Sequence, residues 1–447
     1  MGQLDRIFKA YDVRGVVPDE LDDDDARRIG AAFAAFADSS AITLGRDCRL
    51  SSPDLAAAIA DGVTSQGVDV IDLGLASTDL LYFASGSLDV PGVMLTASHN
   101  PPRYNGLKFC LKGARPVGQD TGLDRIRELA EGEGPPPGPA RGTVSRRDLL
   151  EPYVEHVLSF VDVAAMRPLT VVIDTANGMG GLVAPAVLSR LPVKVHHLFP
   201  ELDGTFPNHP ADPIDPANQR DLKAAVLAEG ADVGMAFDGD ADRVFLVDER
   251  AEDVSGSLMT ALVATAMLRR EPGAKVVHNL ICSWVVPEAI REAGGEPVRT
   301  RVGHSFIKQI MAETGAVFGG EHSGHYYFRD NYRADSGLIA GVVALGELSA
   351  SGGTLSSLLA PFRRYVASGE INRRVDDPPA AVERVAAATA DGRQDRLDGL
   401  TVEYPEWWCN VRASNTEPLL RLNVEARTEA TLEAATARVL DLIGGTT

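Results

Sequence analysis

The stretch AITLGRD, residues 41–47, has the pattern of a short buried strand, and it opens an order of elements that recurs along the chain. SPDLAAAIADGVTSQG, residues 52–67, has a helical pattern, and VDVIDLG, residues 68–74, has the pattern of a second strand. Strand, helix and strand in this order are typical of a parallel sheet with helices on its faces. The order recurs at residues 169–191, LTVVIDTANGMGG and LVAPAVLSRL, and at residues 274–295, AKVVHN and SWVVPEAIREAGG. The sequence therefore predicts an α/β fold in which one plan is used three times.

Changes in this pattern divide the chain into four predicted domains. The stretch EGEGPPPGPARG, residues 131–142, cannot form a helix or a central strand, so the first domain ends shortly after it. After VASGE, residues 366–370, short strands follow one another and a helix closes the chain. We therefore expect three similar α/β domains with mixed, mainly parallel sheets, and a smaller α+β domain at the C-terminus. The predicted limits are 1–147, 148–250, 251–365 and 366–447.

Composition and charge narrow the class of protein. The chain has 447 residues with 43 basic and 63 acidic side chains, a net charge of −20. This balance argues against nucleic acid or an anionic membrane surface as a partner. The four cysteines are far apart and form no CxxC pair, which favours reduced thiols over a disulfide framework or a zinc site. The N-terminus lacks the apolar segment of a signal peptide and no uncharged run has transmembrane length, so we expect a cytoplasmic enzyme.

Four polar clusters follow predicted strands, where ligands of parallel α/β sheets usually bind. The first is TASHNPPRYNGLKF, residues 96–109, in which Ser98 precedes His99. A serine hydrolase is disfavoured, because the chain has no G-x-S-x-G motif. Adjacent residues on an extended strand also point to opposite faces, so we expect His99 to be badly placed as a base for Ser98. Taken alone, this cluster is better explained as a polar turn.

The second cluster is the acidic stretch AFDGDADRVFLVD, residues 236–248, with alternating aspartates Asp238, Asp240 and Asp242. An EF-hand loop is the main alternative, and Glu249 falls at its twelfth position. However, its sixth position holds Arg243 where glycine is required, and both flanks have strand patterns. Three carboxylates aimed at one point would repel each other without a counter-ion, and they suit Mg²⁺ that is also bound by a phosphate oxygen. An exposed acidic turn fits the apolar flanks less well.

The third and fourth clusters offer groups that could bind a phosphorylated sugar. GGEHSGHYYF, residues 319–328, places Glu321, Ser323 and His325 on alternate positions, and VGHSFIK places His304 and Lys308 on one face of a predicted helix. A carboxylate and a hydroxyl suit sugar hydroxyls, and histidine can transfer a proton. VRASNTEPLLRL, residues 411–422, carries a guanidinium and short polar side chains that suit a phosphate, although a capped turn is an equal alternative. Those residues are Arg412, Ser414, Asn415 and Thr416.

Near the N-terminus, Arg14, Arg46 and Arg49 lie close to glycines or an aspartate, and surface ion pairs are the simpler explanation for them.

Taken together, these clusters resemble the α-D-phosphohexomutase superfamily, and most closely its phosphomannomutase/phosphoglucomutase branch. The resemblance spans nearly the whole chain in the family's order. Its motifs are AYDVRG, TASHNP, YNGLKF, GTFPNHPADP, DGDADR, VGHSFIK, GEHSGH and RASNTEP. The family has four domains around a central cleft, so the resemblance implies such a cleft here, with a phosphoserine loop, a metal-binding loop, a sugar-binding loop and a phosphate-binding loop in successive domains.

The resemblance also implies roles for individual residues. It implies that Ser98 carries the phosphate and that its phosphoserine holds Mg²⁺ together with Asp238, Asp240 and Asp242. Lys108 and Arg243 would face the transferred phosphate, and Glu321 and Ser323 would hold sugar hydroxyls. The non-reacting phosphate would be bound by Arg412, Ser414, Asn415 and Thr416. The cleft would also be lined by Tyr11, Arg14, His304 and His325, and His325 and Lys108 are the candidates for the general base.

The activity implied by the resemblance is that of a phosphohexomutase, an intramolecular phosphotransferase. It would interconvert hexose 1-phosphate and hexose 6-phosphate, with mannose expected before glucose, through a phosphoserine enzyme and a 1,6-bisphosphate. Glucose or mannose 1,6-bisphosphate is the expected activator, and a monomer or weak homodimer is the expected state. The alternatives are a phosphoglucosamine mutase, a Mg²⁺-dependent sugar phosphatase and a non-catalytic sugar-phosphate sensor. There are two departures from the family pattern. Ile281 stands where relatives often have lysine, which concerns the contacts to the distal phosphate or the sugar, and His322 fills a variable position in the sugar loop.

Overall fold

The computed structural model describes residues 4–132, 134–413 and 419–445, and the side chain of His304 also lies outside the described part. Within these ranges the strands form four sheets that follow one another along the chain. The predicted α/β architecture with a different C-terminal unit is confirmed, and each of the three α/β sheets contains parallel pairs with antiparallel pairs beside them.

The first sheet has the strand order β1-β5-β4-β2-β3-β7, with β6 beside β5. Its strands are β1 (Val13–Val16), β2 (Ala41–Arg46), β3 (Asp69–Leu75), β4 (Gly92–Leu95), β5 (Tyr104–Leu111), β6 (Arg115–Pro116) and β7 (Val144–Arg146). Its helices are α1 (Asp23–Ala37), α2 (Ser52–Ser65), α3 (Thr78–Leu88) and α4 (Leu123–Glu131). Strand β2 runs parallel to β3 and β4, as the opening stretch of sequence predicts. Helix α2 has Pro53 in its first turn. Proline is tolerated there because a backbone N–H in the first turn has no hydrogen-bond acceptor within the helix.

The second sheet has the strand order β12-β11-β10-β8-β9. Its strands are β8 (Leu169–Asp174), β9 (Val193–Leu198), β10 (Val233–Phe237), β11 (Val244–Asp248) and β12 (Asp253–Val254). Its helices are α5 (Leu150–Leu158), α6 (Gly180–Leu188) and α7 (Arg220–Glu229). Strands β10 and β11 are an antiparallel, fully buried pair, so the acidic stretch is the turn between them. Strand β12 pairs with β11, so this sheet extends past residue 250, the predicted limit of the second domain.

The third sheet has the strand order β14-β13-β15-β16. Its strands are β13 (Lys275–Asn279), β14 (Glu296–Thr300), β15 (Phe318–Gly320) and β16 (Tyr326–Phe328). Its helices are α8 (Gly256–Arg270), α9 (Val285–Glu292), α10 (His304–Thr314), α11 (Gly337–Ser351) and α12 (Leu355–Leu359). The sugar-loop motif is the connection between β15 and β16, which pair antiparallel.

The fourth sheet is antiparallel throughout, with the order β17-β21-β20-β19-β18. Its strands are β17 (Val366–Arg373), β18 (Arg393–Asp395), β19 (Leu400–Glu403), β20 (Trp407–Ala413) and β21 (Leu420–Ala426), and its helices are α13 (Pro378–Ala388) and α14 (Glu429–Ile443). The register of β17 against β21 shifts between Ala367 and Glu370, and Gly369 has a φ of 68°. A bulge therefore lies at the start of this unit.

One apolar core joins the first three sheets, whereas the fourth has its own. Leu80 of α3, Tyr153 of α5, Met259 of α8 and Leu338 of α11 belong to the same buried cluster. The described core of the fourth unit consists of its own residues, such as Leu422 and Val439. The first three units therefore share their packing, and the fourth is joined to them with less apolar contact.

No single helix among the described residues has the length and hydropathy needed to cross a membrane. Helix α11 and the segment Leu355–Phe362 would meet those criteria only as a pair bent by 97°.

Candidate active site

Two loops meet at Ser98. One follows β4 and comprises residues 96–104, here called the carrier loop, and the other joins β10 to β11 and comprises residues 238–243, here called the acidic loop. Ser98 is 6% exposed, and its hydroxyl donates to Asp238 Oδ2 at 2.6 Å. A side chain at Gly239 would place its Cβ only 2.3 Å from the Ser98 carbonyl oxygen, so the two loops approach this closely only because residue 239 is glycine. The structure thus brings the predicted carrier serine and the predicted metal loop together.

The three aspartates of the acidic loop converge as the sequence predicts. Asp238, Asp240 and Asp242 are almost completely buried, and each offers an oxygen within 4.8 Å of the others. The Oδ1 atoms of Asp240 and Asp242 are buried and have no hydrogen-bond partner in the described part of the chain. Buried carboxylate oxygens without a donor are costly, and hard divalent cations prefer such ligands. This donor set therefore fits Mg²⁺.

Two cations share the site with these carboxylates. Lys108 Nζ donates to Asp240 Oδ2 at 2.8 Å and to Asp242 Oδ2 at 2.6 Å, and Arg243 Nε donates to Asp238 Oδ2 at 3.0 Å. Lys108 reaches the site because it lies on β5 opposite Met94 of β4, the strand that leads to Ser98. The predicted phosphate-facing residues thus bind the same group of carboxylates that accepts the Ser98 hydroxyl.

The pKa values of the carboxylates reflect their burial and unequal access to these cations. Burial raises the pKa of Asp238, with the charges of Asp240 and Asp242 adding to it and Arg243 opposing it. Burial also acts on Asp240, but the ammonium of Lys108 outweighs it and holds the pKa of Asp240 well below its usual range. Burial and the charge of Asp240 raise the pKa of Asp242. Three buried carboxylates against two cations favour a further positive charge at this point.

His99 lies closer to Ser98 than the sequence predicts. Its Nδ1 is 3.3 Å from Ser98 Oγ, so the expectation that the two side chains point to opposite faces is wrong. The reason is local, since Ser98 has a φ of 48° and is not part of an extended strand. The charge of Arg243 and burial lower the pKa of His99 well below its ordinary value.

Arg49 is a residue of the site that sequence reasoning undervalued. It is 1% exposed and pairs with Asp47, so the surface ion pair expected for it is wrong. Its guanidinium donates to the backbone carbonyls of the carrier loop at 2.7–3.0 Å, namely those of Ser98, Asn100, Pro101 and Tyr104. The Phe206 ring covers it at 5.1 Å. In the sequence, its position after a buried strand and close to Gly45 could have indicated a role in the site. The carbonyls that it binds could not be predicted, because they are distant in sequence.

The sugar loop reaches the acidic loop from the third sheet. Glu321 is 3% exposed and accepts hydrogen bonds from Tyr327, at 2.7 Å, and from Asn279, at 3.1 Å. Ser323 Oγ lies 3.2 Å from Nδ1 of His325, whose Nε2 is 3.7 Å from Asp242 Oδ1. The predicted sugar-binding residues therefore form one wall of the same site.

Arg14 lies at the edge of the carrier loop, and Tyr11 lies against the start of α10. Tyr11 donates to the backbone carbonyl of Val302 at 3.4 Å, just before α10, the helix that begins at His304. Arg14 donates to the side chains of Asn100 and Asp12. The structure thus places Arg14 beside the carrier loop and Tyr11 against the third unit, whereas the side chain of His304 lies outside the described part.

The fourth cluster is only partly described. Arg412 is 5% exposed and pairs with Glu370 at 2.8 Å, and Arg421 lies 3.4 Å from the same carboxylate. Ser414, Asn415 and Thr416 lie outside the described residues. Ile281 packs against Leu280 and Trp408, so this side chain fills an apolar contact between the third and fourth units.

Comparisons with known proteins agree on one family. Models of the phosphoglucomutase/phosphomannomutase family match along the chain: alpha/beta/alpha domain I at residues 5–135, domain II at 151–252, domain III at 255–365 and the C-terminal domain at 370–442. The chain is 44% identical to "Phosphohexose mutases" of Xanthomonas campestris over 444 residues, covering 98% of this chain and 99% of that one. It is 42% identical to "Phosphomannomutase" of Salmonella montevideo over 448 residues, covering 98% of each. A crystal structure of a phosphoglucomutase/phosphomannomutase family protein from Burkholderia thailandensis superposes with a TM-score of 0.91 at 34% identity, covering 100% of this chain and 99% of that one.

Proposed function

The chain belongs to the phosphoglucomutase/phosphomannomutase family, and we propose that it interconverts hexose 1-phosphates and hexose 6-phosphates through a phosphoserine at Ser98. The observation that carries this proposal is the Ser98 hydroxyl, which lies 2.6 Å from Asp238 in a group of buried carboxylates that also binds Lys108 and Arg243. Phosphoryl transfer depends mainly on alignment and charge neutralisation, and this loop supplies both around one hydroxyl.

The reaction balances without any outside phosphate acceptor. The phosphate leaves Ser98 for the free hydroxyl of the hexose phosphate and gives a 1,6-bisphosphate. The hydroxyl proton passes to a base, and the released Ser98 oxygen takes up a proton; the return transfer reverses both proton movements. The bisphosphate then turns around, and its other phosphate returns to Ser98. Glucose or mannose 1,6-bisphosphate would reload an enzyme that has lost its phosphate, which is why we propose it as activator.

We propose that Mg²⁺ is held by Asp238, Asp240 and Asp242 together with the phosphate on Ser98. When bound, this ion neutralises charge on the transferred phosphate. The buried Oδ1 atoms of Asp240 and Asp242 support this assignment.

The proton is best moved by His325. Its side chain is 23% exposed, so a substrate can reach it, and it lies in the wall formed by the sugar loop. Lys108 already donates to two carboxylates, a role that suits a charged ammonium facing the phosphate. We therefore propose His325 as the base and Lys108 as a phosphate contact, with Arg14 near the carrier loop and Tyr11 against the start of α10.

We propose that the substrate spans the third and fourth units. Glu321 and Ser323 would hold sugar hydroxyls, with His304 near the same wall, and the distal phosphate would bind Arg412, Ser414, Asn415 and Thr416. Mannose is the preferred sugar in this proposal, because the relatives named phosphomannomutase are similar over the full length of the chain.

The fourth unit is proposed to open and close over the substrate. Its separate core and the bulge between Ala367 and Glu370, beside the predicted hinge at Ser368 and Gly369, support this motion. Domain limits at 147 and 365, a cytoplasmic location and a monomer or weak homodimer remain part of the proposal. The limit proposed at 250 moves past Val254, because β12 pairs with β11.

A coupled assay tests the function. Mannose 1-phosphate, glucose 1-phosphate and glucosamine 1-phosphate would each be supplied with Mg²⁺ and a trace of glucose 1,6-bisphosphate. We expect the 6-phosphate to form fastest from mannose 1-phosphate. Fastest turnover of glucosamine 1-phosphate would indicate a phosphoglucosamine mutase, release of inorganic phosphate without isomerisation would indicate a phosphatase, and no turnover of any sugar would contradict an enzyme.

A further inference from the structure

Thr78 contacts the acidic loop although it lies in no motif of the site. It is the first residue of α3, a helix of the first unit, and is completely buried. Its hydroxyl donates to Asp240 Oδ2 at 2.6 Å, and its backbone N–H donates to the Asp240 carbonyl at 3.0 Å. The acidic loop is thus tied by side chain and main chain to a helix 162 residues away in sequence.

This contact determines which oxygen of Asp240 stays free. Oδ2 accepts from both Thr78 and Lys108, whereas Oδ1 is buried with no hydrogen-bond partner in the described part of the chain. Fixing one oxygen of a carboxylate fixes the direction of the other, because the group is planar and turns as a unit. Lys108 reaches Oδ2 through a long side chain with several rotatable bonds and also binds Asp242, so the short side chain of Thr78 is the more rigid of the two constraints.

The first turn of α3 is itself held in place from three sides. Asp79 is completely buried and accepts hydrogen bonds from Ser77, from Tyr153 of α5 and from Ser336, the N-cap of α11. The Ser336 bond is 2.6 Å long. Thr78 is therefore presented by a junction of the first three units and cannot easily follow a displaced loop.

We propose that Thr78 is a positioning residue for the metal site, whose hydroxyl orients the Asp240 carboxylate so that Oδ1 is available to a divalent cation. The inference rests on the metal role proposed for the acidic loop. It adds a residue from outside that loop and from another domain. Partners that orient metal ligands commonly change metal affinity by about 10–100-fold when removed.

Direct metal binding tests this inference without any catalytic readout. Mn²⁺ would be titrated into the full-length protein and its Thr78→Val and Thr78→Ser variants, with the free ion followed by electron paramagnetic resonance. Valine keeps the shape of threonine and removes the donor, whereas serine keeps the donor. We expect Thr78→Val to weaken Mn²⁺ binding about tenfold or more and Thr78→Ser to bind nearly as tightly as the parent.

The Thr389→Val variant is the matched control. Thr389 is also completely buried and its hydroxyl donates to a backbone carbonyl, that of Val385, but it lies at the end of α13 in the fourth unit. It should lower the melting temperature and leave Mn²⁺ affinity unchanged. If Thr78→Val does not fold, as judged by circular dichroism, the Thr78→Ala and Thr78→Ser pair replaces it, since only serine keeps the hydroxyl.

Each outcome decides the inference. An unchanged Mn²⁺ dissociation constant in Thr78→Val, an equal loss in Thr78→Ser, or a parent protein that does not bind Mn²⁺ would each overturn it. The proposed function fails separately if the parent protein binds Mn²⁺ but isomerises none of the hexose phosphates. As a second readout, the Mg²⁺ concentration for half-maximal turnover should rise in Thr78→Val while the KM for the sugar phosphate changes little.

Discussion

Ser98 and Asp238 are joined by a hydrogen bond of 2.6 Å across 140 residues of chain. The bond connects the end of β4 in the first sheet with the end of β10 in the second. Gly239 permits the approach, and Arg49 holds the carbonyls of the serine loop from behind. A serine that carries phosphate is thereby placed against the carboxylates that would bind its counter-ion, and the predictions below test the parts of this arrangement.

Replacing the carrier serine should abolish catalysis. Ser98→Ala removes the only oxygen that this mechanism uses to hold the phosphate between substrates. Intact mass spectrometry should show one phosphoryl group on the active protein and none on the variant, and turnover should be lost. Ser87→Ala, on the exposed side of α3, is the control and should retain both. Full activity in Ser98→Ala would contradict the carrier role.

Removing one metal ligand should remove the metal dependence. Asp240→Asn keeps the size of the side chain but loses the charge, so activity should fall by about 100-fold or more. Removing a residue that only orients a metal ligand commonly lowers activity by about 10–100-fold, and removing the ligand itself should cost at least as much. The measurement is turnover against Mg²⁺ concentration. Asp253→Asn changes an exposed carboxylate of β12 and should behave like the parent. An unaltered Mg²⁺ profile in Asp240→Asn would disprove the assignment.

Truncating Arg412 should weaken substrate binding more than it slows the chemical step. Its guanidinium is buried beside Glu370, and losing a buried charge contact typically costs about 2 kcal/mol or more, so KM should rise about thirtyfold. Steady-state kinetics with a hexose phosphate measures KM and kcat separately. Arg393→Ala removes an exposed arginine from the same unit and serves as control. The phosphate-binding role would be rejected by an unchanged KM.

Arg49→Lys should destabilise the protein despite conserving the charge. Lysine lacks the planar fork that reaches several carbonyls at once, so buried acceptors of the carrier loop would lose their donor at a cost of about 2 kcal/mol. Urea unfolding should show a lower midpoint with an unchanged slope. Arg28→Lys, in a partly exposed pair with Asp25, should leave the midpoint where it is. Equal midpoints for Arg49→Lys and the parent would show that the loop does not depend on these bonds.

His209 should make stability depend on pH. Burial lowers the pKa of its ring, but the hydrogen bond and charge of Asp174 outweigh this and leave the pKa above its ordinary value of 6.5. A raised pKa in the folded state means that the stabilisation is fully present below pH 6.5 and is lost as the pH rises through the folded value. Melting temperatures across that range should fall with pH in the parent, and this component should be absent in His209→Gln. His196→Gln, at an exposed position, should keep the parent's slope.

Local patterns were sufficient for the elements and for the polar loops. Apolar runs of strand length predicted β2, β3, β10 and β13, and the aspartates of the acidic loop converge because small residues separate them between two strands. Side-chain contacts were harder to predict. The contact between Ser98 and His99 depends on the positive φ of Ser98, which serine does not favour. Strand β12 joins the second sheet by pairing with β11, and its two residues are too few to predict a strand from the sequence.

The sequence by itself therefore determined the α/β plan, the order of the loops and the residue types that suit a phosphate, a metal and a sugar, because these depend on neighbours along the chain. Only the tertiary structure decided that Arg49 supports the carrier loop and that Thr78 holds Asp240, 162 residues away. The reason is physical: a hydrogen bond needs its donor and acceptor within about 3 Å in the right direction. That geometry is fixed by how helices and sheets pack, which no single stretch of the sequence contains.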